Sequence, residues 1–129
     1  MKTLPELKYT KNHEWARIEG NTAVCGITDF AQEQLGDIVF VELPELGSDV
    51  VKDGKLGVVE SVKAASDVFA PLSGKVIERN DALESAPEPV NKDAFGEGWM
   101  AKVELSDPSE TASLMDAAAY EKFAAEEHH

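Results

Sequence analysis

The sequence is short of the residues on which most catalytic, metal and redox chemistry rests. One cysteine, Cys25, stands in 129 residues. No disulfide can close within the chain, and no Cys-x-x-Cys exists for zinc binding or thiol exchange. Cys25 lies in the apolar, strand-like run Ala23-Val24-Cys25-Gly26-Ile27 and reads as a small buried hydrophobe, not a nucleophile. There are three histidines, and two of them, His128 and His129, end the chain and read as tail. His13 alone is left for a Ser-His-Asp or Cys-His arrangement, with no second histidine for an ordinary metal site. Cations are scarce too: 12 Lys and Arg face 25 Asp and Glu, a net charge of −13. Nucleic acids are held by cations that neutralise phosphates, so so acidic a chain is repelled. Anionic membrane surfaces are disfavoured for the same reason, and the expected partners are basic patches on other proteins. No strictly apolar run exceeds four residues (Ile38 to Val41, Ala117 to Tyr120), whereas a membrane span needs about 20. The start, Met1-Lys2-Thr3-Leu4-Pro5-Glu6, lacks the apolar stretch of a signal peptide and the arginines of a transit peptide.

What is present fits one domain over residues 1–129, with a core over about 7–105 and a helical segment over about 108–126. Tyr9-Thr10 and Trp15 to Glu19 read as short strands. Gly20-Asn21 is a two-residue hairpin signal, returned by Thr22 to Ile27. Thr28-Asp29 looks like a helix cap before Phe30 to Leu35, and Gly36 is placed to end that helix. Strands follow at Asp37 to Leu43, Leu56 to Val62, Asp67 to Ala70, Lys75 to Arg79 and Trp99 to Leu105, with turns at Lys52-Asp53-Gly54 and Pro71 to Gly74. Ala82 to Lys92, with Pro87 and Pro89, reads as a loop holding one helical turn. After Asp107-Pro108, Met115, Ala119 and Phe123 recur every four residues beside Leu114 and Ala118, the mark of an amphipathic helix packed on a sheet. The chain is therefore mainly β, a sandwich or barrel with a short internal helix and a C-terminal helix.

The informative segment runs Gly57-Val58-Val59-Glu60-Ser61-Val62-Lys63-Ala64-Ala65-Ser66-Asp67-Val68-Phe69-Ala70-Pro71-Leu72-Ser73-Gly74. Two apolar strands flank a tight reversal of small residues that carries one lysine. Its neighbours Val62 and Ala64 bear no charge; Glu60 lies three residues before and Asp67 four after. Such a lysine points into solvent on a rigid mount, where another enzyme can find and acylate it. Chemistry alone leaves an ordinary exposed hairpin lysine as the alternative.

Glu-Ser-Val-Lys-Ala followed by Ala-Pro-Leu-Ser-Gly resembles the lipoyl-attachment segment of the glycine cleavage H-protein family. His13-Glu14-Trp15, Gly26-Ile27-Thr28-Asp29, Leu35 to Pro44, Val90-Asn91-Lys92-Asp93 and Gly96 to Met100 extend the likeness, in order, from about Leu7 to Phe123. The resemblance implies a lipoyl/biotinyl-type flattened barrel, the barrel-sandwich hybrid. It implies lipoate joined as an amide to Lys63, on a carrier that is not itself catalytic. The implied partners are glycine decarboxylase (P-protein), the tetrahydrofolate-dependent aminomethyltransferase (T-protein), dihydrolipoamide dehydrogenase (L-protein) and a lipoate ligase or lipoyl transferase. It also implies a monomer in a bacterial cytoplasm, or in the mitochondrial matrix if the chain is a trimmed organellar protein.

An aminomethyl group is prone to loss in water, so a carrier should shield it in transit. Positions matching the family put Asn12, Glu14, Gln34 and Asp67 near the face on which the loaded arm would rest. Anionic Glu14 or Asp67 would pair with the protonated amine; the alternative for each is a solvated surface acid. Some family members have histidine at position 34, and Gln34 removes any titrating role there. Ala94-Phe95 replaces a more usual Pro-Tyr pair and should keep the aromatic packing. Glu60 and Asp67 would form an acidic recognition rim around Lys63. A biotin carrier is a rival reading, but the lysine lacks the flanking methionines usual there. A lipoyl relay or interaction module serving 2-oxoacid dehydrogenases would share the attachment motif. A hydrolase or metalloenzyme lacks the residues.

Overall fold

The computed structural model describes residues 2–127; Met1 and the His128-His129 tail lie outside the described residues. Among the described residues, nine strands form two antiparallel sheets. The first five are β1 (Lys8–Tyr9), β2 (Glu14–Glu19), β3 (Thr22–Ile27), β4 (Ile38–Glu42) and β5 (Asp49–Val50). The others are β6 (Lys55–Ser61), β7 (Ala65–Phe69), β8 (Gly74–Arg79) and β9 (Ala101–Leu105). One sheet has six strands in the order β1-β2-β3-β9-β8-β5, and the other has three in the order β4-β6-β7. Apolar side chains of both meet in one core that includes Val41, Val59, Val68, Val76, Met100 and Val103. No helix among the described residues is long and apolar enough to cross a membrane.

Local chemistry accounts for the corners. Gly20, at φ 62°, lets β2 and β3 join through two residues, because a first turn residue with positive φ matches the strand twist. Helix α1 (Asp29–Leu35) opens on Thr28, whose Oγ1 accepts from the Ala31 N–H, and closes at Gly36, at φ 84°.

Two segments depart from expectation. The stretch Ala82 to Lys92 holds two one-turn helices, α2 (Ala82–Ser85) and α3 (Pro89–Lys92), instead of one. Pro89 takes a first-turn position, where its missing N–H costs nothing. The C-terminal segment is broken. A 3₁₀ helix spans Pro108–Ser113, and α4 (Ala117–Glu127) starts afresh. Met115 belongs to neither: it exchanges both backbone hydrogen bonds with Tyr9, at 2.8 and 2.9 Å. The edge strand β1 has unpaired groups to satisfy, and Met115 supplies the partner. Asp116 then caps α4, accepting from the Ala119 N–H at 2.8 Å. The buried face of α4 is Tyr120 and Ala124, while Ala118 and Ala119 stand in solvent.

Candidate functional site: the Lys63 turn and its adjoining cleft

Lys63 sits at the tip of the β6–β7 hairpin, exposed, and no carboxylate among the described residues pairs with its ammonium. Ser61 holds the turn shut. Its N–H donates to the Ala64 carbonyl at 2.7 Å, and its Oγ accepts from the N–H groups of Lys63 and Ala64 at 3.3 and 3.1 Å. From outside, the Val62 N–H donates to the Asp37 carbonyl at 3.1 Å. The lysine stem passes over Gly36, where an added Cβ would lie 3.9 Å from Lys63 Cε.

Residues opposite each other in an antiparallel pair share a face. Phe40 opposes Glu60, which opposes Ala65; Glu42 opposes Val58, which opposes Asp67. The outer face of the small sheet therefore carries Glu42, Glu60 and Asp67 together with Phe40. Val39, Phe40 and Val62 are 55%, 44% and 74% exposed. Lys63 thus stands beside a small apolar patch with acids among it.

The opposite side of the hairpin faces a cleft of about 320 Å³ lined by Asn12, His13, Phe30, Ala31, Gln34, Leu35, Ser66 and Glu127. Leu35 adjoins Gly36, so the cleft runs from the lysine stem along α1 toward α4. The structure brings Asn12 and Gln34 together here. Asp67 is exposed on the outer sheet face and does not line the cleft. Glu14 does not line it either, and is 2% exposed, a buried acid and not a solvated one. Its carboxylate accepts from Thr10 Oγ1 at 2.6 Å and from the Phe69 N–H at 3.2 Å. Burial nevertheless wins and pushes its pKa up to about 7, the two donated bonds opposing the rise. Thr10 Oγ1 in turn accepts from the N–H groups of Asn12 and Glu14. Glu14 therefore fixes the turn that presents Asn12 to the cleft.

The far wall was not legible in the sequence. His13, at φ 67°, packs its ring 4.7 Å from Phe30 and 5.9 Å from Phe123. Its Nε2 lies 3.1 Å from Glu127 Oε1 and its Nδ1 2.8 Å from Tyr120 Oη. A carboxylate only accepts, so Nε2 carries a hydrogen and, in the neutral ring, Nδ1 accepts from Tyr120. Tyr120 Oη also shares a 2.7 Å hydrogen bond with Thr28 Oγ1, the cap of α1. Among the described residues, Glu127 is the one carboxylate lining the cleft. His13 was visible in the sequence, but its partners come from a helix more than 100 residues away. Cys25, inside the core, has its thiol pushed up to about 12 by burial, as suits an inert packing residue. No cluster of described residues has the makings of a metal site.

Comparison with known proteins agrees with this geometry. The family model for the glycine cleavage H-protein matches residues 7–127. The glycine cleavage system H protein of Symbiobacterium thermophilum is 58% identical over 121 residues, 94% of each chain. That of Thermotoga maritima is 55% identical over 120 residues, 93% of this chain and 97% of that one. The crystal structure of a glycine cleavage system H protein from Mycobacterium marinum superposes with a TM-score of 0.85 at 35% identity, covering 98% of this chain and all of that one. With a family match across nearly its whole length and a shared two-sheet architecture, the chain belongs to the glycine cleavage H-protein family.

Proposed function

We propose that Lys63 carries lipoate as an amide on Nζ, and that the chain shuttles the aminomethyl group of glycine between the enzymes of glycine cleavage. Members of the family are lipoyl carriers and not themselves catalysts. A lipoyl group on Lys63 would supply a reducible disulfide: it would be reduced on the P-protein as glycine loses carbon dioxide and leaves its aminomethyl group on sulfur, would be left as dithiol on the T-protein as the carbon passes to tetrahydrofolate and ammonia is released, and would be reoxidised by the L-protein. The chain's own residues mount the arm, present it and shield it. The observation that carries this reading is the exposed, unpaired ε-amine on a turn tied down from both sides. An acylating enzyme needs such an amine free of competing carboxylates, and a swinging arm needs a firm base.

The cleft fits the second task. It lies on the side of the hairpin toward which the Lys63 stem can fold, across Gly36. Phe30, Ala31 and Leu35 supply apolar walls for the arm's chain. Asn12 and Gln34 supply amide groups for its polar end. Glu127, held by His13, offers the counter-charge for a protonated amine, and Glu14 serves from behind by fixing the Asn12 turn. Glu60 and Asp67, on the opposite face, are the acidic rim that meets basic surfaces on the partners. Loss of the Lys63 charge on acylation makes that face more acidic still. P-, T- and L-proteins and a lipoate ligase or lipoyl transferase all approach from this side. Meeting them in turn suits a freely diffusing monomer, and as its relatives above are bacterial, we place it in the bacterial cytoplasm.

The decisive experiment is intact mass after coexpression with a lipoate ligase and lipoate, followed by peptide mapping. A gain of roughly 188 Da on Lys63, absent in Lys63→Ala, supports the assignment; roughly 226 Da would mean biotin. No gain, or a gain on another lysine, overturns it. Turnover of glycine with purified P- and T-proteins separates a glycine cleavage shuttle from a relay for 2-oxoacid dehydrogenases.

A further inference from the structure

Val90-Asn91-Lys92 stands out in the sequence yet touches neither Lys63 nor the cleft. Asn91, half-buried on α3, nevertheless uses three hydrogen bonds at one place. Its Oδ1 accepts from the Ile38 N–H at 2.8 Å. Its Nδ2 donates to Gln32 Oε1 at 2.8 Å and to the Gly36 carbonyl at 2.9 Å. These contacts surround Asp37. The Ile38 N–H and the Asp37 carbonyl belong to one planar peptide group and point in opposite directions. The N–H is held by Asn91; the carbonyl accepts from Val62, the residue before Lys63. A continuous line therefore runs from the Asn91 amide, through one rigid peptide, to the Lys63 turn. The same side chain also grips Gly36, over which the lysine stem lies.

From this we infer that Asn91 is a positioning residue for the attachment turn: through the Asp37–Ile38 peptide it seats Val62, and so fixes the direction in which Lys63 is offered to modifying enzymes. The inference rests on Lys63 as the attachment site. Without the anchor the Asp37 carbonyl can rotate away and Val62 loses its outer restraint. Ser61 still closes the turn from inside, so the hairpin survives with a looser tip.

The test is amide hydrogen exchange on unmodified protein, paired with lipoylation kinetics using a lipoate ligase. In Asn91→Ala, exchange at Val62 should speed up by about tenfold, the order of one residue's released backbone freedom. Amides of β3 and β9 in the large sheet should keep wild-type rates. Lipoylation kcat/KM should fall by about the same factor, carried by a rise in KM with kcat held within about twofold. Asn91→Leu keeps the side chain's bulk and drops all three hydrogen bonds. It should match Asn91→Ala at Val62 and in kcat/KM within about twofold. Wild-type exchange at Val62 in Asn91→Ala overturns the inference, as does a loss of protection shared equally by both sheets. Wild-type exchange at Val62 in Asn91→Leu overturns it too, and this variant decides the matter if Asn91→Ala does not fold. Exchange is read without lipoate, so failure here is distinct from a failure of Lys63 to be modified.

Discussion

The Lys63 turn and the aromatic wall beneath α4 are built on opposite plans. The turn is made of small residues, buries almost nothing, and is held by hydrogen bonds to Ser61 and Asp37. The wall is made of rings. Tyr9 stacks on Tyr120 at 4.6 Å, and Phe95 stands edge-on to Tyr9 and Trp15 at 6.3 and 6.1 Å. Its polar atoms are satisfied inside: Trp15 Nε1 donates to the Ala94 carbonyl, and Tyr9 Oη to that of Leu4. Hydrogen bonds give direction at modest net stability, whereas ring burial gives stability. The molecule thus keeps presentation of its functional group apart from the part that holds the fold together.

That separation is most sharply broken by Trp15→Ala. Trp15 is fully buried, and its truncation should cost about 3–5 kcal/mol in denaturant unfolding. Lys63→Ala, which should abolish lipoylation, should leave unfolding within about 0.5 kcal/mol of wild type. A Lys63 variant as unstable as the Trp15 one would refute the separation.

Glu14 sharpens the comparison through pH, since it ties the wall's strand β2 to Phe69 at the end of β7. Its folded pKa of about 7 lies above the model-compound value of 4.5, so the folded protein binds this proton more tightly than the unfolded chain. Its contribution is complete below about pH 4.5 and is lost as pH rises through about 7, a decline on the order of 3 kcal/mol in unfolding free energy. Unfolding curves at pH 5 and pH 8 should show that fall in wild type and not in Glu14→Gln.

The outer face responds in rate and not in stability. Glu60→Gln with Asp67→Asn should lower partner kcat/KM by on the order of threefold to tenfold and flatten its dependence on salt. Unchanged kinetics and salt slope would remove the acidic rim from recognition. The smallest effect belongs to Glu127→Gln. The His13–Glu127 pair is half open to water, with side-chain exposures of 15% and 49%, and its loss should cost less than about 1 kcal/mol. Loss of the aminomethyl group from loaded protein should nonetheless quicken if Glu127 holds the amine in the cleft.

Features that depend on neighbours in sequence were legible. Gly20-Asn21, the Thr28 cap and Gly36 each act within a few residues, and the Lys63 turn is spelled out by its own small neighbours. Features that depend on distant contacts were not. Met115 fits a four-residue helical spacing, but an open strand edge more than 100 residues earlier claims its backbone. Asp116 before Ala117-Ala118-Ala119 was a readable cap that would have placed the start of α4. The burial of Glu14 was not legible because nothing local says that Thr10 and Phe69 will enclose it. Of the cleft, Asn12 and Gln34 came from family likeness, while His13, Ser66 and Glu127 needed the fold.

The solitary ammonium of Lys63 has one more consequence. Converting it to an amide cancels a charge, and cancelling a paired charge strands its partner. Here no acid among the described residues is left behind. Acylation of Lys63 would therefore strand no partner charge in the fold, and quality control that senses such strain would be blind to whether the cargo arm has been installed. Only the enzymes that touch the arm can tell the two apart.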